Sequence, residues 1–129
     1  MDLVVTATRT AEIHLRTDGI VSVFILSKVL QTLDDARENL DTAVLVRGGV
    51  RCPIVIDLTK CEPLIPEVRH HYSGSKLGDA FHALALIVPA SSFGRIMGNI
   101  YLRIASPGVP IRLFDSHEEA ISWLRNFKE

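Results

Sequence analysis

The apolar run from Pro53 to Leu58 is the strongest pattern in the chain, and a single acid, Asp57, stands near its end. A short run of this kind, rich in β-branched residues and opened by proline, is typical of a strand buried on both faces. Helical patterns lie on either side of it. The pattern therefore predicts a central strand in a helix-covered sheet, with Asp57 at the carboxyl end, where α/β proteins place functional groups.

The N-terminal part of the chain predicts a β-hairpin. Alternating patterns from Ala11 to Arg16 and from Ile20 to Leu26 flank Asp18-Gly19, a dipeptide that favours tight turns between strands. Phe24 falls on the opposite face from the core and should be covered by another element. We expect residues 1–9 to form an arm, in which Val4 and Val5 leave an added edge strand open. The residues predicted to face the core are Ile13, Leu15, Val21, Val23 and Ile25.

Four helices and two further strands are predicted after the hairpin and around the central strand. Capping signals mark three of the helix starts, and Gly48-Gly49 ends the first helix. The last helix should dock through Ala120, Trp123, Leu124 and Phe127. The predicted helices begin near Thr32 (with Asp35 completing a capping box), at Pro66 (running to about Leu77), at Ser91-Ser92 and at Ser116, and the two strands are Ala83–Val88 and Ile111–Phe114.

The predicted element order is β-β-α-β-α-β-α-β-α. A hairpin followed by alternating units implies an α/β fold with a mixed sheet, whose later strands run parallel through right-handed crossovers and are covered by helices. At 129 residues, without an internal repeat or linker, the chain should form a single domain over residues 1–129.

Composition and charge narrow the range of functions. Lys and Arg number 14 against 15 Asp and Glu, so no net field would attract nucleic acid. The N-terminus lacks a signal-peptide pattern, and no apolar run approaches the roughly 20 residues that span a bilayer. Cys52 and Cys61 bracket the central strand and should lie too far apart for a disulfide. These features predict a cytoplasmic protein with free thiols and no membrane insertion.

The chain offers no obvious catalytic or metal-binding set. The five histidines lack metal-ligand spacing, and His14 and His117 are expected in solvent. Cys61 follows Lys60, but an ordinary loop thiol is the better interpretation. Asp57 would serve as a general base only if its pKa were raised, and an acid at a strand end more often binds nearby N–H groups. We therefore expect no enzymatic activity and no metal or cofactor.

One constellation suggests an anion or ligand site. Ser91, Ser92 and Arg95 open a helix directly after an interior strand, and parallel neighbours would bring this end near Asp57 and Thr59. The alternative is an ordinary N-cap and a solvated arginine. A further alternative is an apolar pocket beneath the same helix, as a carrier of a small apolar or lipid-like ligand would need. Its lining would be Phe93, Met97 and Tyr101.

The order of elements resembles the anti-sigma-factor-antagonist (STAS, SpoIIAA-like) fold. More narrowly, the chain resembles small stand-alone bacterial proteins with STAS/SEC14-like domains. This resemblance implies a non-enzymatic regulator or interaction domain with an unidentified protein partner, and it leaves a homodimer open. The residues that carry it are Thr8-Arg9-Thr10-Ala11, Asp18-Gly19-Ile20-Val21, Val55-Ile56-Asp57-Leu58, Arg95-Ile96-Met97-Gly98-Asn99, Arg112-Leu113-Phe114, Glu118-Glu119-Ala120 and Trp123-Leu124.

The chain departs from the regulatory members of that family at one place. After the Asp-Leu of the central strand these members carry an Asp-Ser-Ser-Gly motif whose serine is phosphorylated. The matching stretch here is Ile65-Pro66-Glu67-Val68, which offers no hydroxyl group. We therefore expect an interaction domain without the usual phosphoserine switch.

Overall fold

One six-stranded mixed sheet organises the chain, as the computed structural model shows for residues 2–26, 30–60, 65–72, 79–90 and 109–127. The strands lie in the sheet in the order in which they occur along the chain. The predicted α/β class is confirmed. The elements are β1 (Asp2–Ala7), β2 (Ala11–Arg16), β3 (Val21–Ile25), α1 (Leu33–Val46), β4 (Cys52–Asp57), α2 (Pro66–Tyr72), β5 (Phe81–Ile87), β6 (Ile111–Phe114) and α3 (His117–Leu124), followed by a 3₁₀ turn at Arg125–Phe127.

The N-terminal segment belongs to the sheet, so the expectation of an arm over residues 1–9 is wrong. Residues 2–7 form β1, which pairs antiparallel with β2 and lies at the edge of the sheet. Only one side of an edge strand pairs and only one of its faces packs. A weak apolar pattern is therefore enough for a strand at this position. The alternative of an added edge strand that contains Val4 and Val5 is the one observed.

The predicted hairpin is confirmed. Strands β2 and β3 pair with Ile13 opposite Val23 and Leu15 opposite Val21. Gly19 at the tip has a φ of 83°, a backbone conformation that favours glycine. Ile13 and Val21 are fully buried while Glu12 is exposed, so the register agrees with the sequence pattern.

The central strand is β4, which runs parallel to β3 on one side and to β5 on the other. Its side chains alternate between two cores. Ile54 packs in the core that contains Leu40 of α1, whereas Val55 packs in the core that contains Leu124 of α3. The sheet is therefore covered by α1 on one face and by α3 on the other, as a continuously apolar strand predicts.

Helix α1 begins and ends where the sequence predicts. The Thr32 side chain accepts a hydrogen bond from the Asp35 N–H, and the Asp35 carboxylate accepts one from the Thr32 N–H, which completes the capping box. After the C-cap at Arg47, Gly48 and Gly49 both have positive φ. Leu40 and Ala43 are buried as expected, but Asp35 and Asn39 are buried with them.

Helix α3 docks through a slightly different face from the one predicted. Ala120 and Leu124 are fully buried, and Ile121, which the sequence analysis did not assign to the docking face, is buried beside them. Trp123 and Phe127 are only half-buried at the margin of this core. The helix contacts β4, β5 and β6. The residues that it buries, Ala120, Ile121 and Leu124, are smaller than Trp123.

Several predicted features lie outside the described residues: the helix that begins at Ser91, the end of the second helix, and Cys61. The distance between the two cysteines therefore stays a prediction. Cys52 is a free thiol buried in the core, and burial raises its pKa although the Arg47 charge and the Val21 backbone act in the other direction. None of the helices in the described ranges is both long and apolar enough to cross a membrane.

Candidate functional site

The carboxyl ends of the four parallel strands β3, β4, β5 and β6 meet at one edge of the sheet. Phe24 of β3 lies opposite Asp57 of β4, and Asp57 lies opposite Ile87 of β5. Asp57 therefore occupies the middle of this edge, which is where open α/β sheets bind ligands. The position that the sequence assigns to Asp57 is confirmed.

The Asp57 carboxylate is engaged by its own turn. One carboxylate oxygen accepts hydrogen bonds from the Thr59 N–H at 2.9 Å and from the Thr59 hydroxyl at 2.6 Å. This is the local arrangement that acids after strands commonly adopt, and it satisfies the first free N–H of the loop. Of the two roles considered for Asp57, the binding of a nearby N–H is therefore the one observed.

Asp57 and Thr59 are two of the five residues of the predicted anion or ligand site. Ser91, Ser92 and Arg95 lie outside the described residues. The anion or ligand site at these five residues stays a prediction.

A row of three rings lies beside Asp57 on the α3 face of the sheet. The Phe24 ring stacks on the His117 imidazole at 5.6 Å between centroids, with the planes 4° apart. The His14 ring also contacts Phe24, in a T-shaped arrangement with 5.1 Å between centroids. The expectation that His14 and His117 are solvated is wrong, because β2 and the start of α3 converge on Phe24 and partly bury both imidazoles.

Burial controls the ionisation of His117. Loss of water lowers its pKa, the negative charge of Asp57 opposes this shift, and the positive charge of Arg16 adds to it. The imidazole is therefore held more strongly in its neutral form than an exposed histidine. The His14 Nε2 lies 2.9 Å from the Glu12 carboxylate.

Ser22, His117 and Asp57 supply the residue types of a nucleophilic triad on one face of the sheet. Activation requires a hydrogen bond from the serine to the imidazole. The Ser22 hydroxyl and the His117 Nε2 are both buried, and neither has a hydrogen-bond partner. No hydrogen bond therefore links them, and the arrangement does not activate a nucleophile.

A second polar cluster lies at the same edge, where the β1–β2 turn meets the start of α1. Arg9 binds the Asp35 carboxylate with two nitrogens, with its Nε at 2.8 Å from one oxygen, and it also donates to the Leu30 carbonyl at 3.0 Å. The Arg9 hydrogen bond, helped by the N–H and hydroxyl of Thr32, holds the pKa of Asp35 far below its usual range although burial opposes this.

Buried polar side chains continue this cluster inward. The Asn39 amide donates to the Thr10 hydroxyl at 2.8 Å and to the Gln31 side-chain oxygen at 3.5 Å, and its own oxygen accepts from Thr8. Thr10, Gln31 and Asn39 are all buried. This network was not predicted from the sequence. The signal for it is Asn39, which lies four residues after Asp35 on the face of α1 that should be apolar.

The stretch at which the family resemblance predicts no phosphoserine, Ile65-Pro66-Glu67-Val68, lies at the start of α2. Ile65 precedes α2 and is 44% exposed, Pro66 and Glu67 are exposed in the first turn, and Val68 is fully buried. The first turn of α2 thus offers an apolar and an acidic side chain to solvent. Within the described ranges no three His, Cys, Asp or Glu side chains are grouped to hold a metal ion.

Comparison with known proteins identifies the fold but no activity. A family described as "Domain of unknown function (DUF7793)" matches residues 13–128. No curated protein matches the chain. A similar solved structure is an uncharacterised protein of the DUF3478 family from Shewanella loihica PV-4, which has a SpoIIAA-like fold. It has 16% sequence identity and a TM-score of 0.58, and the match covers 94% of this chain and 90% of that one. The chain therefore has a SpoIIAA-like fold.

Proposed function

We propose that this chain, which belongs to the family described as Domain of unknown function (DUF7793), is a non-enzymatic interaction domain. Its partner-binding surface would be the start of α2, and binding would not be switched by phosphorylation. The observation that carries the proposal is the exposed pair Ile65 and Glu67 around Pro66, at the position where regulatory STAS domains carry their phosphoserine.

The chemistry of this surface supports permanent rather than switched binding. Phosphorylation would place nearly two negative charges at a helix start. Glu67 already provides a carboxylate in that turn, and Pro66 suits a first helical position, where no N–H donor is needed. The helix start is therefore formed and negatively charged without modification.

The state of the nearby polar residues supports a role other than catalysis. The Asp57 carboxylate is bound by Thr59, and Ser22 has no hydrogen bond to His117. A general base at Asp57 would need a carboxylate that is available to the substrate. A nucleophile at Ser22 would need a hydrogen bond to a base. The Asp57 carboxylate is thus occupied by its own turn, and the Ser22 hydroxyl lacks an activating base.

Binding is tested by affinity purification from the native cells with quantitative mass spectrometry. Ile65→Glu should abolish recovery of a stoichiometric partner. Val50→Glu is the matched control, because Val50 is 67% exposed but precedes β4 at the opposite end of that strand. Recovery of the same partner by the Ile65→Glu variant would refute the proposed surface.

The absence of a phosphorylation switch is tested by phosphosite mapping on protein taken from the same cells. Thr59 and Ser73 carry the serine and threonine hydroxyl groups nearest to this stretch in the sequence. Phosphate at substantial occupancy on Thr59 would contradict the proposal. Native mass spectrometry distinguishes the alternative function, because a carrier of a small apolar or lipid-like ligand would retain that ligand and recover no partner.

A further inference from the structure

The edge strand β1 has one unpaired side among the described strands. It pairs with β2 on one side, and no described strand pairs with its other side. An edge of this kind presents a row of unpaired N–H and C=O groups. We propose that β1 pairs antiparallel with β1 of a second copy of this chain, so that the two sheets continue into one across a twofold axis.

The two edges of the sheet differ in how they are protected. The opposite edge, β6, is only four residues long, follows Pro110 and exposes the charged Arg112. These are the devices by which proteins block edge pairing. By contrast, β1 is six residues long and contains no proline or lysine, and its one charge, Asp2, is at its start.

The exposed side chain on β1 fits a copy of itself. Val5 is 57% exposed and lies opposite His14, so it projects from the α3 face of the sheet. A twofold axis perpendicular to the sheet keeps this face on the same side in both copies. With the axis at Val5, the two Val5 side chains lie directly opposite each other and cover each other's apolar surface.

This register also avoids repulsion between like charges. Pairing about Val5 places Val4 opposite Thr6 and Asp2 opposite Thr8 of the second copy. No charged residue therefore meets its own counterpart along the strand. The register irregularity between Asp2 and Val4 leaves Val4 to Ala7 as the regular part of the strand, with Val5 inside it.

The test is sedimentation velocity on the full chain carrying any tag at its C-terminus, so that β1 is left free. The wild type should sediment as a dimer, at twice the 14.3 kDa of the chain. Val5→Lys should weaken association by about tenfold or more, because two lysines would lie directly opposite each other. Leu45→Lys is the matched control, because Leu45 is 78% exposed near the end of α1. This variant should remain dimeric.

A wild type that stays monomeric at high micromolar concentration would overturn the proposal, as would a dimer that Val5→Lys leaves intact. Circular dichroism reports whether the variants fold. Should Val5→Lys fail to fold, crosslinking decides: Val5→Cys in a Cys52→Ala, Cys61→Ser background should form an intermolecular disulfide under mild oxidation. Leu45→Cys in the same background should not. Equal crosslinking of the two variants, or none for Val5→Cys, refutes the pairing.

Discussion

Asp35 binds three groups at once: the Arg9 guanidinium, the Thr32 N–H and the Thr32 hydroxyl. The first contact ties α1 to the β1–β2 turn, and the other two close the capping box. A single carboxylate therefore fixes both the start of a helix and its position against the sheet. These contacts lower the pKa of Asp35.

Replacing Asp35 by Asn should lower the free energy of unfolding by about 1–3 kcal/mol, because charge-assisted hydrogen bonds are lost in a buried setting. The control is Asp34→Asn one residue earlier, whose side chain is 93% exposed and which should cost about 0.5 kcal/mol or less. Urea denaturation measures both variants.

The stability that Asp35 contributes should depend on pH. The pKa of Asp35 is lower in the folded than in the unfolded chain, so its stabilising contribution is present above about pH 4 and is lost as the pH falls further. The stability difference between wild type and Asp35→Asn should therefore shrink below pH 4. A difference that stays constant down to pH 2.5 would contradict the role of the ionised carboxylate.

His117 should make stability sensitive to mild acid. Its folded-state pKa is lowered by burial, so folding favours the neutral form, and this contribution is present above about pH 6.5 and is lost as the pH falls. His117→Gln should therefore lose less stability between pH 7.5 and 5.5 than the wild type. Glu118→Gln in the same turn should keep the wild-type profile. Denaturation midpoints at the two pH values measure this, and identical profiles for wild type and His117→Gln would refute it.

At the level of elements, α3 is held by its small inward-facing residues rather than by its largest one. Leu124 is fully buried, while Trp123 lies at the margin between Phe114 and Phe127, with ring centroids 5.7 Å and 4.8 Å away. The sequence pattern places Trp123 and Leu124 together on the docking face of the helix. In the structure Leu124 is the more deeply buried of the two.

Truncating Leu124 should therefore destabilise the protein more than truncating the larger Trp123. Leu124→Ala should cost about 2–5 kcal/mol, because it leaves a cavity in a filled core. Trp123→Ala should cost less than Leu124→Ala, because part of the ring is already in water. Ser122→Ala, exposed on the same helix, is the control. Thermal and urea unfolding test the order, and a larger loss for Trp123→Ala would show that the helix docks through its aromatic side.

The hairpin tip and the end of α3 also join two distant parts of the chain. Asp18 binds Arg16 at 3.0 Å and Arg125 at 3.4 Å. Burial alone would raise the pKa of Asp18, but the contacts with Arg16, the Ile20 N–H and Arg125 lower it overall. Because Arg125 lies in the 3₁₀ turn after α3, this ion pair joins the β2–β3 hairpin to the end of the described chain.

On the scale of the whole molecule, Cys52 reports on opening of the fold. The thiol is buried in the α1-facing core and its pKa is raised by that burial, so it is both inaccessible and poorly ionised. In a Cys61→Ser variant, maleimide should label Cys52 only when the core opens. Labelling of the native protein as fast as that of the urea-unfolded protein would contradict the described core.

The sequence by itself determined the elements that are specified locally. The Asp18-Gly19 turn, the Thr32 cap and the glycines after α1 act through neighbouring backbone atoms, so their pattern is sufficient to predict them. The continuous apolar run at β4 likewise predicts a strand buried on both faces. The predicted order of these elements resembles the SpoIIAA-like fold, and the similar solved structure has that fold.

Only the tertiary structure decided how residues far apart in sequence meet. Arg9 and Asp35 are 26 residues apart and Phe24 and His117 are 93 apart, and no local pattern pairs them. The sequence placed His117 in solvent and gave Asn39 no role, because burial of a polar side chain depends on which distant element covers it. The edge strand β1 was undecided for the same reason. Its strand conformation is stabilised by pairing with β2 rather than by its own pattern.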